Sequence, residues 1–553
     1  MFNQVSGAGR AMMVAAQPEA AEVGALALMR GGNAIDAAVS AAFAQCVVDP
    51  LMAGIAGYGT MVVHRPAADA TTCIEFYARA PAAVTPDIWA NKLVAQTQDG
   101  YAFVVEGNVN EVGHQAVGTL GTLAGLVHAL ERYGTVSLAQ ALAPAIALAE
   151  EGFAMRPHMY HYCAMERARD GMKETQERLQ LSATGRAAFF DAHGNLKRPG
   201  DRIVNPDLGR TLRRIAQEGT DVFYRGEIAS RIVQDMQAHG GFLSMADLTG
   251  YEVSEAPPIR GRYRGFDVAA LPPPGGGISL IQTLQVLSHF DLKAMGHNSP
   301  AYLHTLAEAL KWTTIDKDAF VGDPRFVQVP LDKLLSAEHA QGIADRIRSG
   351  ARASVRRGTE PSPPEPKDTT QLCVVDAQGN AVSLTHTLGT CSGVITDGLG
   401  FMYNGLMSGF DPRPGHAASL GPGRSRTSSQ CPVILFRDGR PAFVLGAPGG
   451  TAICSALVQT IVNMVDFGMS PTEAVSAPRI SATSDTIEVS NRIPRYITDE
   501  LARQGHPVSR THLGFAFAAP HVISIEPDLR LRGGADPQRD GVALEVAVQE
   551  VRS

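Results

Sequence analysis

Three groups of residues in this sequence have the types and spacing to do chemistry. Thr369 heads the strand-like run TTQLCVV and follows directly on a stretch rich in Ser, Arg and Pro. An alcohol is a poor nucleophile until a base takes its proton, and a threonine at a chain's N-terminus carries that base in its own α-amino group. Thr369 gains such a terminus only if the Asp368–Thr369 bond is cut, and a flexible linker meeting a rigid strand is sterically suited to that scission. Taken alone, a threonine at a strand start also fits a purely structural role.

Pro448-Gly449-Gly450 falls between the strand-like AFVLGA and a helical run beginning near Thr451. Backbone N–H groups at a helix start, unobstructed by side chains, can hold a developing oxyanion. The same glycines also suit a plain strand-to-helix turn. No G-K-[ST] follows, which argues against a phosphate-cradling loop, and Gly54, Gly57 and Gly59 in GIAGYG lack the spacing and context of a dinucleotide fingerprint. The third group is Ser428-Ser429, in a polar loop with Arg424 and Arg426 just before PVILF. Hydroxyl donors beside a guanidinium fork suit a carboxylate, although solvated loop serines are common.

These residues need elements to position them. EAAEVGALALMR predicts a helix from Pro18 that stops at Gly31-Gly32, with Asn33 and Asp36 spaced as an N-cap pair for the next. Further helices are predicted over Leu123–Arg132 and Leu138–Glu151, with a left-handed residue expected at Tyr133-Gly134, and over Leu208–Gln217, Glu227–Gln237 and Leu303–Asp318. Strand signals before residue 360 are few, Gly59–His64 and Phe266–Leu271 among them. Residues 349–367, SGARASVRRGTEPSPPEPK, carry four prolines and no apolar periodicity and predict an exposed, mobile linker. TTQLCVVDAQGNAVSLTHTL then reads as two strands about a D-A-Q-G-N turn, and PVILFRDGRPAFVLGAPGG as a second hairpin before the helical TAICSALVQTIVNMVDFG. Helix and strand patterns together indicate an α+β fold.

The 553 residues, 45% hydrophobic, describe a globular chain, and a net charge of -7 gives no electrostatic basis for binding nucleic acid. A small solute is the expected partner. The seven cysteines are scattered and form no metal-ligand spacing, so they are expected to be ordinary buried thiols. The start of the chain shows no basic, apolar leader, and the apolar run Ala37–Val48, broken by Ser40 and Gln45, is too short to cross a bilayer. These features predict a cytoplasmic protein with no membrane span.

In this order the three groups resemble the γ-glutamyltranspeptidase family. DTTQLCVVDAQGNAVSLTHTL is similar to that family's processing site, where the first threonine of a T-T pair is both scissile residue and nucleophile, here Thr369 after Asp368. The resemblance assigns a second catalytic threonine to Thr387, substrate-binding serines to Ser428 and Ser429, and oxyanion glycines to Gly449 and Gly450. It extends over GGNAIDAAVSAAFAQCVVDP, GTLAGLVHALERYGT, DLTGYEVSEAPPIRGRYRGFDV, PPPGGGISLIQTL and AEALKWTTIDKDAFVGDP. It implies a four-layer αββα sandwich of the N-terminal-nucleophile hydrolase type. The implied large subunit is 1–368 and the small one 369–553, pairing as a heterodimer that could associate further, with no cofactor.

Departures from the family pattern bear on the substrate. The polar residues that hold an α-ammonium in glutathione-accepting members fall here on Gly389, Leu406 and Gly409. Unpartnered, that charge would cost several kcal/mol of binding. The carboxylate-binding arginine of the family falls on Tyr77 in EFYARAP, and Arg79, two residues on, shares a strand face with it. The short segment between Phe410 and Ser428 predicts an open site. The expected activity is therefore that of an amidohydrolase acting on a carboxylate-bearing acyl group without an α-amino group, as in the oxamate amidohydrolase and cephalosporin or glutaryl acylase branches. A true γ-glutamyltransferase and a catalytically silent binding homologue are the alternatives. Thr387 and Thr370 are expected to orient the nucleophile.

Overall fold

The computed structural model describes residues 9–165, 172–357, 368–511 and 517–548. Two antiparallel sheets lie face to face. The first runs in spatial order Val542–Val548, Gly9–Ala15, Thr370–Val375, Ala381–Thr387, Tyr58–Arg65, Ala70–Phe76 and Ser254–Ala256. The second runs Leu531–Ala535, His521–Ile525, Arg440–Gly446, Val433–Arg437, Phe266–Ala270 and Ile259–Tyr263. Each sheet therefore draws strands from both sides of residue 368.

Alternation along the strands builds the layers. Met12, Val14, Val62, Cys373 and Val375 face inward and meet Ala269, Ile434, Val444 and Ile523 of the opposite sheet. Their neighbours Met13, Met61, Val63, Leu372 and Val374 face outward onto the helices Pro18–Met29 and Ala34–Val48. On the far side, Val268, Val433, Leu435 and Leu445 pack under Gly277–Leu287, Pro300–Phe320 and Ile453–Val465. The result is the αββα sandwich. With helices over one face and the second sheet over the other, the hairpin strands Thr370–Val375 and Ala381–Thr387 are buried at every position.

Local signals account for the element ends. The first helix stops at Gly31, whose φ of 89° needs a glycine. Asn33 and Asp36 form a reciprocal capping box that opens the next helix. Asp438 and Gly439, at φ 51° and 76°, turn the second hairpin as a two-residue loop does. One expectation about a helix end is corrected: Gly134 follows Thr122–Tyr133 with φ -82°, an ordinary extended residue. Its lack of a side chain serves a close approach, because a Cβ there would stand 2.7 Å from Asp36 Oδ1.

Among the strands that escaped the sequence reading are Gly9–Ala15, Ala70–Phe76 and Ile259–Tyr263. The linker reading needs correcting as well. Residues 358–367 lie outside the described residues, but Ala353 and Val355 just before them are buried. Their N–H groups donate to Glu308 Oε2 and Asp485 Oδ1, each at 2.7 Å, and Arg357 pairs with Asp318 at 2.6 Å. The first half of the segment is thus pinned to the body of the protein. All seven cysteines are buried. Among the described residues, no helix is long and apolar enough to cross a membrane.

Candidate active site

The D-A-Q-G-N turn sets the register that assembles the site. Asp376 Oδ1 accepts N–H bonds from Gln378 and Asn380, both at 2.9 Å, and Gly379 takes φ 80°. That turn pairs Thr370 with His386. One residue further out, Thr369 faces Thr387, and its hydroxyl donates to Thr387 Oγ1 at 3.0 Å. Thr387 Oγ1 also accepts the N–H of Gly389 at 2.8 Å, which holds the second hydroxyl in place.

The backbone at Thr369 is strained. Its φ is 124°, a region that a β-branched residue rarely enters, and such conformations persist only where the surroundings enforce them. The surroundings here are strong. Tyr162 donates its hydroxyl to Asp368 Oδ1, and Arg539 donates to the carbonyl of Thr369 at 3.1 Å. Asp368 and Thr369 are 1% and 4% exposed, so the junction between them is out of reach of another protein's active site.

A small cavity of about 20 Å³ opens beside this pair, lined by Thr369, Thr387, Ser428, Ser429, Gly450 and Gln430 with Tyr58, Tyr101, Arg426 and Ile453. The serine loop is fixed by the P-P-P-G-G-G segment: Ser428 N–H donates to Pro274 O at 2.8 Å, and Gly276 N–H to Gln430 O at 2.9 Å. Gly276 must be a glycine, since a Cβ would come within 2.8 Å of Ser429 O. The P-G-G turn enters the helix Ile453–Val465 through the short Gly450–Ala452 turn. Gly449 and Gly450 have φ of 141° and 54°. Among the described residues neither N–H has a protein acceptor, and of the two glycines Gly450 lines the cavity while Gly449 stands one residue outside its lining.

Other expected residues stand elsewhere. Arg79 is not in the cavity: the strand Ala70–Phe76 ends before it, so the two-residue alternation that placed it there does not apply. Its guanidinium donates to Glu252 O at 2.9 Å and lies over the Tyr251 ring at 5.3 Å. Tyr77 is also outside the lining, buried among Tyr58, Trp89, Leu406 and Phe410. Thr370 points to the helical side, where Gln17 and Gln45 donate to its hydroxyl at 3.0 and 2.9 Å. It supports the strand from behind and does not touch the nucleophile. Arg424 turns away to Ser419 O at 3.1 Å.

Tyr101, which sequence reasoning missed, lines the cavity and bonds the carbonyl of Gly389, and Tyr58 fills the room beside that glycine, where a Cβ would be 2.6 Å from its hydroxyl. No local pattern marks either tyrosine, because both reach the cavity from distant parts of the chain.

Behind the hairpin lies a titratable network. Gln17 donates to Asp49 at 2.5 Å, and His386 Nε2 contacts Gln45 Oε1 at 2.8 Å. Burial pushes Asp49 up to about 6 against the pull of Arg156, and burial pushes His386 down to about 3 and His521 down to about 4. The two histidines are neutral in the fold and charge on unfolding below their ordinary value of ~6.5. Their contribution is complete above that pH and is lost as pH falls towards 4, at ~1.4 kcal/mol per unit for each. Asp49 acts in the opposite sense, since its raised value favours the fold below pH ~6. Melting temperatures at pH 7.5 and 5 should therefore fall with acid, and the fall should steepen in Asp49→Asn, which lacks the opposing group.

Fold and cavity define a protein built like an N-terminal-nucleophile hydrolase. The chain belongs to the gamma-glutamyltranspeptidase family, whose model matches residues 20–546. It is 36% identical to the acylase ACY 1 proenzyme of Pseudomonas sp. (strain V22), over 97% of this chain and 94% of that one. It is likewise 36% identical to a glutathione hydrolase proenzyme of Pseudomonas sp. (strain A14), with the same coverage of 97% and 94%. Among solved structures, the cephalosporin acylase from Bacillus halodurans superposes with a TM-score of 0.85 at 27% identity, covering 98% of this chain and 97% of that one. The relatives are hydrolases or acyltransferases, and the chain is an enzyme of their family.

Proposed function

We propose that the chain cuts itself between Asp368 and Thr369. The freed Thr369 then hydrolyses the amide of a small, carboxylate-bearing acyl group that has no α-amino group. The observation that carries the reading is the Thr369 hydroxyl, 3.0 Å from Thr387 Oγ1 in a cavity edged by Gly450 and the Ser428-Ser429 pair. The φ of 124° and the burial of the junction favour cleavage from within.

In the cutting step the Thr369 hydroxyl attacks the Asp368 carbonyl, the C–N bond breaks to give an ester and free the Thr369 α-amine, and water then splits the ester, releasing the Asp368 α-carboxylate and restoring the Thr369 hydroxyl. In turnover that amine takes the hydroxyl proton as Thr369 attacks the substrate carbonyl, and the Gly449 and Gly450 N–H groups hold the oxyanion. The proton passes to the leaving amine, and water or a second amine then attacks the acyl ester. Strands from both sides of residue 368 interleave in each sheet, so the two fragments would stay together as a heterodimer.

The substrate half of the reading rests on charge. No carboxylate is among the described residues that line the cavity, so an α-ammonium has no counter-ion among them. Glutaryl, oxamate and γ-glutamyl amides offered to the cut enzyme test this. Turnover of the desamino amides at least ~100-fold faster than the γ-glutamyl one is expected for an unpaired buried ammonium. The reverse preference would establish a γ-glutamyl enzyme like the glutathione hydrolase relative.

A further inference from the structure

We propose that Arg426 is the residue that receives the carboxylate of the acyl group, and that Gly409 is a glycine so that this guanidinium can stand where it does. The proposal rests on the amidase reading above and names its specificity determinant. Arg426 is 8% exposed, yet among the described residues its guanidinium has no acidic partner. Its Nε donates to Thr427 O at 3.3 Å, its Cζ lies 4.9 Å from the centre of the Tyr101 ring, and its buried Nη1 has no hydrogen-bond partner. A buried arginine left in this state calls for an anion, because desolvation without pairing is costly.

The surroundings show where that anion sits. Of the residues lining the nucleophile's cavity, Arg426 alone carries a formal charge. Tyr58, Ser428 and Gln430 add neutral donors, and Gln430 Nε2 is also buried without a partner among the described residues. Arg426, Tyr101 and Ser429 also line an adjoining outer cavity of about 160 Å³, so the guanidinium stands in the wall between the two. Of the other charged groups there, Asp411 pairs with Arg413 at 2.7 Å, and Asp318 takes both Lys317 at 2.9 Å and Arg357 at 2.6 Å. Gly409 completes the arrangement. A Cβ at that position would overlap Cζ, Nε and Nη1 of Arg426, so any larger residue displaces the guanidinium.

Arg426→Met keeps most of the side-chain length and removes the charge, and Arg426→Lys restores a point charge without the fork. Amides of oxalic, malonic, succinic and glutaric acid are compared with neutral acyl amides of equal length, on enzyme whose self-cleavage is complete. The preference for acid over neutral should fall about 100-fold in Arg426→Met, chiefly through KM, and recover in part in Arg426→Lys. Gly409→Ala should reproduce the loss. A preference that survives Arg426→Met would overturn the assignment.

Inhibition by the free diacids, followed with whichever amide the enzyme turns over, separates this proposal from the reading beneath it. Diacids that inhibit the wild type but not Arg426→Met uphold the receptor even if no desamino amide is hydrolysed. Equal inhibition of both proteins contradicts it.

Discussion

Thr369→Ala is expected to remain a single chain of 553 residues and to lose amide hydrolysis by about 10⁵-fold or more, the scale on which an enzyme loses its nucleophile. One hydroxyl serves both reactions, so both fail together. The fold should not suffer. Thr369 contributes a strained backbone and one hydroxyl contact at 3.0 Å, and alanine relieves part of the crowding that a β-branched residue meets at φ 124°. A melting temperature equal to or above that of the wild type would show that chemistry, not structure, was removed. Thr369→Ser keeps the hydroxyl and should keep both reactions at reduced rates. An alanine variant that is cut at the same bond would remove Thr369 from the first step.

The second large effect is expected at Gly449. Its φ of 141° is open to glycine alone in practice, and a Cβ there would overlap Ala518. Gly449→Ala must therefore shift the P-G-G turn whose N–H groups are proposed to hold the oxyanion. Loss of one such donor in other enzymes costs ~10²–10³ in kcat, and that range is expected here with a smaller change in KM. Stopped-time assays on fully cut enzyme measure it. A kcat within threefold of wild type would mean that the oxyanion is held elsewhere.

Much of the site could be read from the sequence because one hairpin carries it. The D-A-Q-G-N turn fixes a register, and that register places Thr369 opposite Thr387 with no help from the rest of the fold. The serine pair and the P-G-G turn were visible as polar loop and strand-to-helix junction, and both edge the cavity. Arg79 was misplaced because a strand was extended past Phe76, where the chain leaves the sheet. Gly409 was visible as a lost polar residue. That Arg426 fills its space could not be read, since the overlap arises only when the 405–410 turn and the 424–430 loop pack together.

The fold shows the same division. Helices with capping boxes announced themselves, whereas Gly9–Ala15 and Ala70–Phe76 did not. The first lies one strand in from the edge of its sheet, with strands on both sides, and most of its positions are buried, which erases the polar–apolar alternation a sequence can display. The second is mixed in burial and carries threonine, cysteine and glutamate in place of a clean alternation.

The central claim is that this chain makes its own nucleophile at Thr369. Intact-mass analysis of the purified wild-type protein, with sequencing of every new N-terminus, tests it most directly. Two fragments, the smaller beginning Thr369-Thr370-Gln371, are the predicted result. A chain that stays whole through long incubation, or one cut at a different bond, would contradict it.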